Sequence, residues 1–134
     1  MPIVFRIDSV QEVVFAKAQG RLTDQDIFGY QKTVWSDPKV AEFDELVDMT
    51  EVQEIVPPTG ERVRDLANLS VQMDQSDGQS RFAIVASQDF AFGLGRMYAA
   101  YRELTPGSTK KVAVFRTRKE ALNWLEIEDL ASFD

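Results

Sequence analysis

The run "RFAIVAS", Arg81 to Ser87, constrains the fold more than any other stretch, because it is the most strand-like segment in the chain. A long segment of helical spacing follows it, "DFAFGLGRMYAAYRE", then a second apolar run, "KKVAVF", and a second helical segment, "TRKEALNWLE". Alternation of this kind implies parallel strands joined by right-handed helical crossovers.

The N-terminal half leads into the same pattern. "IVFRID" alternates Ile3, Phe5 and Ile7 with Val4, Arg6 and Asp8, and "VVFAKAQG" follows after the turn "SVQE". So short a spacing predicts an antiparallel hairpin. Thr23 and Asp26 form a capping-box pattern ahead of a helix whose one face carries Ile27, Tyr30, Gln31 and Val34, with Pro38 at the exit. "DELVDM" is a short strand, and "TEVQEIVPPTG" is a longer connection after it. A second helix runs from about Gly60 to Ser76, with Val63, Leu66, Ser70 and Met73 in one stripe, and "QSDGQS" breaks it. Thr117 with Glu120 makes another capping box, and "DLASFD" is a tail. The expected fold is α/β in one domain over 1–134, with an N-terminal β-hairpin, then alternating helix and strand. It has a mixed sheet of about five strands and four helices. Phe5, Ile7, Leu46, Val47, Ile84, Val85, Leu94, Val112, Val114 and Leu125 are expected in the core.

Composition narrows the chemistry. The chain has 134 residues, of which 44% are hydrophobic, enough for a sizeable core. It contains no cysteine and no histidine, which removes disulfides, thiolate metal sites, the commonest general base and the usual zinc ligand. The expectation is a protein with no cofactor and no metal, and with no catalytic role. A net charge of −7 argues against nucleic acid as a partner. No apolar run approaches a membrane span, so no stable membrane insertion is expected. "MPIVFRIDSV" has no signal-peptide character, and a cytoplasmic location is expected.

The two glycines of "FGLGRM" pose a sharper question. A dinucleotide fingerprint needs glycines in the turn between strand and helix. Here the turn is "SQD", Gly93 and Gly95 lie further on, and the third fingerprint position is Tyr98. The Gly-Lys-Ser/Thr of a Walker loop is also missing. Packing accounts for the pattern better. Ser87 or Asp89 caps the helix. Phe90, Leu94, Met97, Tyr98 and Tyr101 make one broad apolar face, and Ala91, Gly95 and Ala99 form a strip without bulk that lets the helix approach a neighbour closely.

The segments "RFAIVASQDFAFGLGRMYAAYRE" and "KKVAVFRTRKEALNWL" resemble a group of small bacterial proteins with the STAS fold of anti-sigma-factor antagonists. The matching motifs are Phe92 to Met97, Val112 to Phe115, and Ala121 to Leu125. The group is similar in shape to lipid-transfer domains of the CRAL-TRIO type. STAS regulators carry a phosphorylated serine or threonine where the helix after the third strand begins, in a pattern like "LDLSGV…DSSG". The corresponding stretch here is "LVDMTEVQEIVPPTG". Asp48 and Gly60 match loosely, and Val56, Pro57 and Pro58 replace the paired serines and their aspartate. Thr59 stands directly before Gly60, so the resemblance implies Thr59 as a possible phosphorylation site; as a helix cap it needs no partner.

A receiver domain also alternates strands and helices around an aspartate. Here one Asp, Asp8, ends the first strand, and Lys110 and Lys111 sit at the wrong end of the last, so the Mg²⁺ ligands of such a site are lacking. In parallel sheets, ligands bind beyond the carboxyl ends of the strands. That places Asp48, Thr50, Ser87, Asp89, Arg116 and Thr117 on a candidate ligand or partner rim. Arg96 either reaches that rim or stacks on Phe92. Val52, Ile55 and Val56 of the "EVQEIVPP" loop form a partner surface or fold back over the core. Two functions emerge. One is a non-catalytic regulatory or protein-interaction module, with a homodimer among its options; the other is a carrier of a small apolar or amphipathic, lipid-like ligand. A carboxylate enzyme built on Asp48 and Asp89 is weaker.

Overall fold

A computed structural model of the chain describes residues 2–74 and 78–128. Five strands form one mixed sheet in chain order: β1 (Ile3–Asp8), β2 (Val13–Leu22), β3 (Asp44–Ile55), β4 (Arg81–Val85) and β5 (Lys111–Phe115). β1 and β2 form the antiparallel hairpin, and β2 to β5 pair in parallel. The crossovers carry α1 (Asp24–Val34), α2 (Gly60–Gln72) and α3 (Asp89–Leu104), and α4 (Arg118–Leu125) follows β5. The expected α/β fold, with its mixed five-stranded sheet and four helices, is the one observed.

Local chemistry starts these helices where the sequence marks them. The Asp26 N–H donates to the Thr23 hydroxyl at 3.2 Å, and the Thr23 N–H donates to the Asp26 carboxylate at 2.9 Å, a complete capping box. The Thr59 hydroxyl accepts the Arg62 N–H at 3.1 Å. The Thr117 hydroxyl accepts the Glu120 N–H at 3.3 Å and donates to the Glu120 carboxylate at 2.9 Å. α3 departs from this pattern: its cap is Gln88, with no side-chain hydrogen bond, and neither Ser87 nor Asp89 takes that role.

Helices cover both faces of the sheet, which is why "RFAIVAS" is apolar without alternation. Phe82 and Ile84 pack with Val63, Ala67 and Tyr98 of α2 and α3. Ala83 and Val85 point the other way, with Val13, Phe15 and Leu46, against Ala121 and Leu125 of α4. Val14, Ala16 and Ala18 meet α1 through Tyr30 and Val34.

Several expectations need correction. Phe5 is 45% exposed and Ile7 40% exposed. β1 is an edge strand, so its alternation marks a face without burying it, and Phe5 meets Tyr30 only edge-on, at 6.5 Å between ring centroids. Leu46, Ile84, Val85 and Leu125 are buried, whereas Val47, Leu94, Val112 and Val114 are half-buried. β3 is far longer than "DELVDM". It continues through Ile55 beside β2, with register shifts near Gly20, whose φ of 70° is the left-handed conformation glycine tolerates. The supposed connection is therefore strand, and Val52 is buried. α2 ends at Gln72; the predicted end at Ser76 and the tail "DLASFD" lie outside the described residues.

Candidate functional site

Strand register sets the level of the C-terminal rim. Asp48 pairs with Val85, and Val85 with Phe115, so Asp48 stands level with the last residues of β4 and β5 although β3 itself runs on. Its side chain is buried and fully engaged. Oδ1 accepts the Thr50 N–H at 2.8 Å and the Thr50 hydroxyl at 2.7 Å, and Oδ2 accepts Arg118 Nη1, from the first residue of α4, at 2.9 Å. Nearby, Arg116 Nη1 donates to Asp89 at 2.8 Å and to the Ser87 carbonyl at 3.2 Å. The Arg116 guanidinium lies 4.0 Å from the centroid of the Phe92 ring. The stacking partner of Phe92 is thus Arg116, and Arg96 is exposed. Asp48 and Thr50 form one cluster with Arg118. Ser87, Asp89 and Arg116 form another with Phe92. In both, a carboxylate neutralises a guanidinium group. Thr59 is exposed at the start of α2. Among the described residues, no three carboxylate, His or Cys side chains gather as a metal site requires.

Sequence reasoning missed three features. The first is a cavity of about 120 Å³ between the sheet and helices α1, α2 and α3, lined by Ile27, Met49, Ile55, Leu66, Ile84 and Leu94 among others. Ile55 and Val56 line it too, so these residues of the "EVQEIVPP" segment face inward. At the lining, the half-exposed Arg62 donates to Asp24 at 2.8 Å and stacks on Phe28. The hydrogen bond from Arg62 holds the Asp24 carboxyl below its ordinary pKa.

The second is a buried polar chain behind that cavity. Trp35 Nε1 donates to the Tyr30 hydroxyl at 3.2 Å, and this hydroxyl donates to Glu45 at 2.8 Å. Lys110 Nζ reaches the other Glu45 oxygen at 3.4 Å and sits 3.5 Å from the centroid of the Trp35 ring. Burial pushes the Lys110 ammonium pKa down, opposed by Glu45, and pushes the Tyr30 phenol well above its ordinary value. A buried charge is tolerated only when paired in this way. The sequence signal was faint: a lone Glu in an apolar strand and a Lys far along the chain.

The third is the outer face of α3. Phe90, Met97 and Leu104 are 52%, 40% and 78% exposed, with Gly93 and Ala100, also exposed, between them. The spacing expected to face the core points outward at Phe90 and Met97; the inward face is Ala91, Gly95, Tyr98 and Arg102. No helix among the described residues is long and apolar enough to cross a membrane.

No protein-family profile matches the chain, and no curated protein matches it. Among solved structures it is similar to an uncharacterized protein of the DUF3478 family with a SpoIIAA-like fold from Shewanella loihica PV-4. The two are 21% identical over 92% of this chain and 93% of that chain, with a TM-score of 0.55. An antiparallel hairpin, three further parallel strands in chain order and helices on both faces therefore make this chain a protein of the SpoIIAA-like, or STAS-like, fold.

Proposed function

We propose that the chain is a non-catalytic regulatory module of STAS-like type that acts by binding a protein partner. The observation that carries this reading is the solvent-facing apolar stripe of α3, Phe90, Met97 and Leu104. Isolated exposed apolar residues are ordinary, but aligned ones on a single helix face are a docking feature. The rim residues support the same reading, because Asp48 and Asp89 are held in ion pairs with Arg118 and Arg116. The test places a photo-crosslinking residue at Met97 in cells, with the exposed Asn68 of α2 as control. A discrete adduct at Met97 alone is expected. No adduct at Met97, or the same adduct at both positions, refutes the reading.

The cavity favours a second reading, the carrier of a small apolar ligand. Its volume of about 120 Å³ decides the size. Apolar cavities near 150 Å³ hold a benzene ring, whereas sites for larger ligands begin near 300 Å³. A short alkyl or single-ring compound fits, and a lipid chain does not. A thermal midpoint that rises with millimolar benzene or short-chain alcohol supports this reading; an unchanged midpoint across such a series removes it.

A further inference from the structure

We infer that the C-terminal half of the α3 stripe, from Met97 to Leu104, is covered by α3 of a second copy of this chain, in antiparallel register. The inference rests on the interaction-module reading and names its partner. Successive residues of a helix turn by about 100°, which places Phe90, Gly93, Met97, Ala100 and Leu104 together, nearly opposite the buried Ala91, Gly95, Tyr98 and Arg102. Gly93 sits in this outward stripe, and a Cβ built there meets nothing within 4 Å. Nothing inside the chain offsets the helix propensity lost at that position.

Charge selects the occupant. Arg96 and Glu103 flank the stripe on one side, two turns apart; both are exposed, and neither has an ion-pair partner among the described residues. In antiparallel pairing about a twofold axis near Ala100, Arg96 meets Glu103 of the second copy, and Glu103 meets its Arg96. Met97 then faces Leu104 of the second copy, and the small Ala100 lies at the crossing. Parallel pairing in register sets the flank that carries Arg96 and Glu103 against the opposite flank of the second helix, so this charge pair does not form. A surface that satisfies its own charges under a twofold rotation is the signature of an isologous dimer.

The test is analytical ultracentrifugation of the full chain from nanomolar to submillimolar concentration. A monomer–dimer equilibrium is expected. Met97→Glu weakens it at least about tenfold, as loss of a central anchor does. Arg96→Glu and Glu103→Arg each weaken it, and the double swap restores it, because the pair is re-formed with its signs exchanged. A monomer at every concentration, or a dimer indifferent to all of these changes, overturns the inference. Should Met97→Glu fail to fold, the two surface charge swaps decide by themselves. The Met97 crosslink separates the two levels. An adduct of twice the chain mass supports self-pairing; an adduct with a different protein overturns self-pairing and leaves the module reading standing.

Discussion

Gly95 offers a quantitative test of how α3 is seated. A Cβ built there lies 3.2 and 3.3 Å from the two methyls of Val114 and 3.5 Å from a methyl of Ile84. The last distance is ordinary contact, whereas the first two require Val114 to give by a few tenths of an ångström. Gly95→Ala gains about 1 kcal/mol of helix propensity. It also inserts a methyl against a half-buried side chain, at the lower end of the roughly 1–3 kcal/mol range for overpacking. The net is therefore zero to slightly unfavourable, within about 1 kcal/mol. Val114→Ala removes both crowding methyls. In that background Gly95→Ala recovers its propensity gain, and the coupling favours the double variant by about 1 kcal/mol. Gly93→Ala is the internal control, since nothing lies within 4 Å of its added carbon. Measured at concentrations where the chain is monomeric, it stabilises by about 1 kcal/mol, a rise of roughly 3–6 °C in thermal midpoint. Urea denaturation of the five proteins supplies the free energies, and thermal scans supply the midpoint of Gly93→Ala. If Gly95→Ala stabilises as much as Gly93→Ala and shows no coupling to Val114→Ala, close packing is not why this position is glycine.

Other tests bear on the buried polar groups and on the cap of α2. Arg102 and Asp74 pair at 3.0 Å with side chains 3% and 6% exposed, and Asp74 also accepts the N–H groups of Thr109 and Lys110. Asp74→Ala strands a buried guanidinium and is expected to cost about 3–5 kcal/mol. Arg102→Met leaves the carboxylate its two backbone donors and costs less; equal or reversed losses in urea denaturation would contradict this account. The Tyr98 phenol, buried and donating to Ser70 at 2.9 Å, is pushed up by that burial to about 12. Unfolded tyrosine ionises near 10, so the stability that this shift confers is fully present below pH 10 and is lost as pH rises toward 12. Tyr98→Phe should flatten the fall in unfolding free energy between those limits, and an unchanged slope counts against it. Thr59→Ala removes the hydroxyl that accepts the Arg62 N–H and is expected to lower stability by about 1 kcal/mol, while Thr59→Asp retains the cap; a loss with Thr59→Asp equal to that of Thr59→Ala excludes capping as its role.

Much of the architecture was legible in the residues because its signals are local. A capping box closes over three residues, so Thr23 with Asp26 and Thr117 with Glu120 mark helix starts without reference to the rest of the chain. The apolar runs around Ile84 and Val114, divided by helical spacing, require parallel strands because a parallel pair needs a long crossover. Periodicity also places residues on faces, and it separated Gly95 from any phosphate loop.

What lies against a face is a different matter, and only the tertiary structure decided it. Phe5 and Ile7 alternate like core residues, yet their strand is the sheet's edge. Phe90 and Met97 look like the inward side of α3, yet the sheet accepts Ala91 and Gly95, because a helix close to Val114 and Ile84 must present its small side. The continuation of β3 through Val52 and Ile55 depends on β2 lying alongside, bent near Gly20. The Lys110–Glu45–Tyr30–Trp35 chain joins residues from three separated segments, and no spacing along the sequence encodes it. Burial and pairing are properties of neighbours brought together by folding, so the core boundary, the cavity and the exposed stripe on α3 emerge only when the layers are assembled.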